Sequence, residues 1–182
     1  MPKILDSIKE QILSAARRQI ESSGYAATTI RSVAAECGIA VGTVYNYFPS
    51  KDVLIATFVS EDWRACVDSL AAQADGDART RLKRIYDALL AFAERYRTLF
   101  SDADAEKTYQ QAFWKRHKML REQLASLILP MCKTAPDGEY LAEFIAESLL
   151  VWTMEGKPFE QIYQILQRLT EQEREEKPNE QL

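Results

Sequence analysis

Within the run TTIRSVAAECGIAVGTVYNYFPSK, from Thr28 to Lys51, the side chains best able to do chemistry are hydrogen-bonding groups and cations. Gly42, Thr43, Tyr45, Asn46 and Tyr47 stand together, flanked by Arg31 and Lys51, with no carboxylate from Gly42 to Tyr47. Such a set does not make or break bonds; it suits hydrogen bonding and charge neutralisation against a polyanion. The spacing has a logic of its own. Two short helices must cross closely: Ala34 is small enough to let the second approach, Gly38 supplies the positive φ of a tight turn, and Val33, Cys37, Ile39, Val44 and Phe48 fall on inward positions. What stays outside is a short, hydroxyl-rich face that can enter a major groove about 12 Å wide without repulsion from phosphates. Taken singly, the same residues have plainer readings. Tyr45 and Tyr47 read as packing residues, Arg31 as a solvated helix charge, and Thr28 and Thr29 as helix caps.

Other chemistries find little support. The single histidine, His117, sits in the basic run Lys115-Arg-His-Lys118 with no Ser or Cys partner at a recognisable spacing. There is no phosphate-binding Gly-rich loop, HExxH pair or acidic metal cluster, so no catalytic residue, metal site or cofactor is expected. The basic run reads as an anion site, an exposed turn or a solvated face. Cys37, Cys66 and Cys132 match neither a CxxC knuckle nor a secreted disulfide scaffold, which suits a reducing cytoplasm. A thiol or metal sensor and a helical adaptor that binds only protein remain as alternatives.

These side chains must be positioned by helices. With six glycines, six prolines and almost no alternating apolar pattern, the 182 residues read as helical from end to end. The spacing predicts a first helix capped at Ser7 with Glu10 completing a capping box, carrying Ile8, Ile12, Ala15, Ala16 and Ile20 on one face and ended by Gly24. Further helices are predicted over 30–37, 41–47, from Pro49-Ser-Lys to about 72, over 78–98, over 105–130 closed by Pro130, over 138–154 and over 158–174. Residues 74–78 read as a loop, and from Glu171 the periodicity is lost, so that the tail is expected to fray.

Charge supports a division of labour. The net charge is −4, yet residues 1–51 hold six Lys/Arg against four Asp/Glu, an excess of +2, which leaves −6 for the remainder. No apolar run approaches the length of a membrane span and the start lacks the layout of a signal peptide, so a soluble cytoplasmic protein without a membrane partner is expected.

The segment from Gly42 to Phe48, GTVYNYF, followed by Ser50-Lys51 and preceded by the Thr28-Thr29 pair, resembles the DNA-binding domain of the TetR family of transcriptional regulators. The resemblance covers residues 8 to 60. It implies an all-α chain: a three-helix, helix-turn-helix DNA-binding domain over 1–50, with the motif at about 29–48, then a helical effector-binding and dimerisation domain over 51–182. It further implies that Thr29, Tyr45, Tyr47 and Lys51 touch phosphates, and that Arg31, with Thr43, Asn46, Gly42 and Val41 nearby, reads base edges. Val41 and Gly42 replace longer polar groups seen in some members, which leaves the operator sequence open.

For the second domain the resemblance implies a homodimer on double-stranded operator DNA, most simply a repressor released by a small-molecule effector that tilts the fourth helix and widens the spacing of the reading helices. Leu141, Phe144, Ile145, Leu149 and Trp152, with Phe159, Ile162, Tyr163 and Leu166, form stripes that can serve a four-helix interface or, alternatively, only an internal core. A dimer is favoured because one reading helix touches few bases, whereas a two-fold pair reads two half-sites. Phe92, Tyr96, Phe100, Tyr109, Phe113, Trp114 and Trp152 are the candidate pocket for a hydrophobic or aromatic effector, although aromatics at helical spacing, taken singly, are more often ordinary core.

Overall fold

The computed structural model describes residues 2–100, 103–132, 135 and 137–175, with side chains for 7–99, 117–132, 135 and 137–168. Among them there are helices and no strand: α1 Pro2–Ala27, α2 Ile30–Cys37, α3 Val41–Tyr47, α4 Lys51–Ala72, α5 Ala78–Arg95, α6 Arg97–Phe100, α7 Ala103–Cys132, α8 Gly138–Met154 and α9 Phe159–Glu175. They divide into two compact units, one drawn from Met1–Cys66 and Phe92–Lys115, the other from Val67–Ala91 and Arg116–Leu182. The sequence reading divides the chain after residue 50; the compact unit around α1–α3 also takes in the first part of α4 and the stretch from Phe92.

In the first unit the apolar stripe of α1 (Ile12, Ala15, Ala16, Ile20) closes on Ile30, Val33 and Ala34 of α2, Val44 of α3, Phe48, and Leu54, Ile55 and Phe58 of α4. Tyr96 and Leu99 complete this core. Its buried charge is satisfied. The Asp62 carboxylate accepts from Arg17 Nε at 3.0 Å and Nη2 at 2.7 Å and from the Tyr96 hydroxyl, while Arg17 lies 5.5 Å from the Phe58 ring. Burial, reinforced by Asp62, pushes the Tyr96 phenol well above its ordinary range.

Four expectations are corrected. Ser7 caps nothing, because α1 already begins at Pro2, whose fixed φ suits a first helical turn. The predicted helix over 78–98 breaks at Tyr96: its side chain is drawn to Asp62, and Thr98 donates to the Ile20 carbonyl at 3.2 Å, so α6 starts afresh. Pro130 does not close α7, which runs to Cys132; so near a helix end a proline forfeits one hydrogen bond without stopping the turn. At the far end, α9 stays helical from Glu171 to Glu175, where the tail was expected to fray.

The second unit buries Leu82, Ile85, Tyr86 and Leu89 of α5, Leu124 and Ile128 of α7, Ile145, Leu149 and Leu150 of α8 and Phe159, Ile162 and Leu166 of α9. Tyr86 packs 5.5 Å from Phe159 and donates to the Lys157 carbonyl at 3.1 Å, and Arg81 donates to the Leu127 carbonyl at 3.2 Å.

Candidate nucleic-acid interface

The two short helices are built as their residue types require. Thr29, extended at φ −132° and ψ 155°, accepts from the Ser32 amide at 2.9 Å, and Ser32 returns the bond to the Thr29 amide at 3.0 Å, a reciprocal cap. At the other end of α2, Gly38 takes the left-handed conformation, φ 66° and ψ 29°, and its amide reaches back to the last carbonyls of the helix. A strut ties α2 to α1: Glu36 accepts from Arg18 Nη2 at 2.7 Å and Gln19 Nε2 at 2.6 Å, while Ser32 donates to Gln19 Oε1 at 2.6 Å. The Gln19 amide and the Arg18 guanidinium hold the Glu36 carboxyl below the usual carboxylate range. Burial pushes the Cys37 thiol up and keeps it an inert packing group.

On α3 the inner and outer faces part cleanly. Val44 is fully buried and Phe48 nearly so, whereas Gly42, Tyr45 and Asn46 are exposed, Tyr45 at 51%. Val41 and Tyr47 pack against the core while keeping an edge in solvent, as does Thr43. Arg31 and Thr29 are exposed at the start of α2. Among the described residues, the side chains of Arg31, Tyr45, Asn46 and Tyr47 have no hydrogen-bond or ion-pair partner, so their donors face water. Lys51, by contrast, is half-buried: its ammonium donates to the Tyr25 carbonyl at 2.9 Å and lies 3.6 Å from the centre of the Tyr25 ring. Tyr25 has no counterpart in the sequence reading, since nothing in local periodicity links it to a lysine 26 residues on.

The remaining expected residues sit as follows. Tyr96 is fully buried in the first unit, and Phe92 packs there against Trp63 at 5.3 Å. Trp152 is half-buried in the second unit, and the side chains of Phe100, Tyr109, Phe113 and Trp114 lie outside the described residues. Of the stripes on α8 and α9, Ile145, Leu149, Phe159, Ile162 and Leu166 are buried in the chain's own core. Leu141, Trp152 and Tyr163 are half-buried and Phe144 is 47% exposed, next to Tyr140 at 79%. No helix among the described residues is long and apolar enough to cross a membrane.

Comparison with known proteins adds a family likeness. Residues 12–57 match the profile of the bacterial regulatory proteins of the tetR family. YerO, an uncharacterized HTH-type transcriptional regulator of Bacillus subtilis (strain 168), is 45% identical over 47 residues, covering 26% of this chain and 16% of YerO. The HTH-type transcriptional repressor KstR of Rhodococcus jostii (strain RHA1) is 30% identical over 115 residues, covering 57% of this chain and 53% of KstR. The chain therefore spans about half the length of KstR and a small part of YerO. A TetR transcription regulator from Haloarcula marismortui ATCC 43049 shares the fold, with a TM-score of 0.63 at 22% identity over 91% of this chain and 96% of that one.

Proposed function

We propose that this chain, a member of the TetR family of bacterial regulatory proteins, binds double-stranded operator DNA as a homodimer and releases it when a small molecule occupies the helical region after α4. What carries the reading is the outer face of α3 and the start of α2: exposed donors without an internal partner, free of carboxylates, on a helix whose inner face is locked into a core. Donors that the chain leaves to water are available to another molecule, and a phosphate-lined groove supplies the complementary acceptors. In this reading Thr29, Tyr45, Tyr47 and Lys51 position the helix on the backbone, while Arg31, Thr43 and Asn46 read bases with Val41 and Gly42 in apolar contact.

A second copy is supported by the solvent-facing apolar groups of α8, Tyr140 and Phe144, and by the geometric need for two half-sites. The repressor role is suggested by the name of KstR. The effector is expected to be hydrophobic or aromatic, and its action is a population shift: it releases DNA only to the extent that it prefers the conformation with widened reading helices.

The test is selection of duplexes by the purified protein, then titration of the selected site at several salt concentrations. A palindromic consensus is expected, with log K falling linearly in log salt; Lys51→Ala, which removes a cation, lowers the slope by roughly 0.9 per copy, whereas Tyr45→Ala weakens binding with the slope little changed. Enrichment of no sequence, or a slope unmoved by Lys51→Ala together with an affinity unmoved by Tyr45→Ala, overturns the assignment in favour of a helical protein-binding adaptor.

A further inference from the structure

Tyr25 grips both residues that open α4. Its ring and carbonyl hold the Lys51 ammonium, and its hydroxyl donates to Asp52 Oδ1 at 2.6 Å. The tyrosine itself is fixed from behind. Gly24 kinks α1 three residues before its end with φ 78° and ψ −178°, a conformation closed to other residues without strain, and the buried Thr28 hydroxyl bonds back to the Gly24 carbonyl at 2.8 Å. Tyr25 is 7% exposed and belongs to the same core as Val44 and Phe48, so whatever holds α3 in place also holds this ring.

We infer that Tyr25 is a positioning residue for phosphate binding at the start of α4: it holds the Lys51 ammonium in one place and tethers the neighbouring Asp52 carboxylate. The inference rests on the DNA-binding reading above and deepens it. A lysine on a free four-carbon stem loses much rotamer freedom when it grips a phosphate. Here most of that freedom is already lost in the free protein, and an ammonium with three protons that gives one to a carbonyl keeps others for an incoming oxygen. The ring face adds a cation–π attraction that fixes the ammonium without consuming a proton. Asp52 presents the opposite problem. A carboxylate in the first helical turn suits the helix dipole but repels a phosphate, and the Tyr25 hydroxyl occupies one of its oxygens.

The test is a double-mutant cycle on operator binding by the full-length protein, with Tyr25→Leu, Lys51→Ala and the two combined, alongside Tyr25→Phe with and without Asp52→Asn. Tyr25→Leu is expected to weaken binding about tenfold, the scale of one charge-assisted contact, and, once Lys51 is alanine, by no more than the roughly twofold to threefold that the lost hydroxyl contributes through Asp52. Tyr25→Phe keeps ring and carbonyl but removes the hydroxyl's bond to Asp52; it is expected to weaken binding roughly twofold to threefold, restored by Asp52→Asn. Additive losses in the cycle, or a Tyr25→Leu variant that binds as the parent does, overturn the inference. If Tyr25→Leu does not fold, Tyr25→Phe decides: unweakened binding, or weakening that Asp52→Asn leaves in place, overturns it. The two readings fail separately. Lys51→Ala without effect on affinity or salt slope removes the phosphate contact itself, whereas an effective Lys51→Ala with an additive Tyr25→Leu removes only the positioning role.

Discussion

Helices α3 and α8 each bury one face and leave another in water, but with opposite chemistry. On α3, Val44 is fully buried while the exposed side chains are Tyr45 and Asn46, whose polar groups have no partner among the described residues. On α8, Ile145 and Leu149 are buried while Tyr140, Phe144 and Met154 remain exposed at 79%, 47% and 53%. An exposed donor gains little until an acceptor replaces its water, so the α3 face suits a hydrated, charged partner. An exposed aromatic gains by leaving water altogether, so the α8 face suits another apolar surface. The contrast teaches that a helix is fitted to its partner by what it leaves uncovered, more than by how strongly it is amphipathic.

The sharpest way to break that contrast is to cut the two faces of α3 separately. Phe48→Ala, at a site 2% exposed, is expected to cost about 3–5 kcal/mol of stability and to lose DNA binding only because the module unfolds. Tyr45→Ala, three residues back, is expected to leave stability within about 0.5 kcal/mol while weakening operator binding about tenfold. Thermal unfolding and fluorescence anisotropy on both variants check the pair. Stability lost in Tyr45→Ala as in Phe48→Ala would mean that the tyrosine is packing after all.

On α8 the corresponding cut is Phe144→Arg. If the exposed aromatics meet a second copy, a charge there desolvates on association, and the dimer is expected to weaken by about 2 kcal/mol or more, roughly thirtyfold or more in dissociation constant. Analytical ultracentrifugation reads this directly, and the unfolding midpoint of the dissociated chain should hardly move. Unchanged association would assign the α8 face to something other than self-assembly.

These two faces were not equally legible in the sequence. The bounds of α2 follow from a cap and a glycine that act locally, so Thr29 and Gly38 could be read in place. That the outer face of α3 stays in water was legible too, because on so short a helix the inward positions Val44 and Phe48 leave Tyr45 and Asn46 outside. Helices α5 to α9 obey only periodicity, which many sequences satisfy, and periodicity cannot say which stripe faces the chain's own core. Hence Ile145, Leu149 and Ile162, read as candidates for a partner face, are buried in the protomer. Hence also the break at Tyr96, which depends on Asp62, 34 residues away, and the grip of Tyr25 on Lys51. A long-range polar contact leaves no mark on the local pattern.

Tyr96 allows the contrast to be sharpened on the inward side, where polar groups contribute stability instead of binding. Tyr96→Phe removes one hydrogen bond to an ionised acceptor while Arg17 keeps both of its own, so a loss of about 1.5–3 kcal/mol is expected at neutral pH. Because the folded phenol is raised above its ordinary 10, its contribution is fully present below that value and is lost as pH climbs past it. Denaturant midpoints of parent and variant should therefore converge above about pH 10. Parallel midpoints across that range would show the hydroxyl to be energetically idle.

The smallest effect lies in the strut between α1 and α2. Glu36 is exposed, its carboxyl held low first by the Gln19 amide and then by Arg18, so its contribution is present above the ordinary carboxylate range and disappears as pH falls through the lowered value. Solvent screening keeps it small: Glu36→Gln is expected to cost about 0.2–1 kcal/mol at pH 7, a difference that persists to about pH 4.5 and closes below it. The same variant should bind the operator within about twofold of the parent, because its carboxylate serves α1 and not a phosphate. If operator affinity instead fell as far as in Tyr45→Ala, the strut would be setting the attitude of α2 and Arg31 on the duplex. The division between inward groups that stabilise and outward groups that bind would then have to be redrawn at this helix.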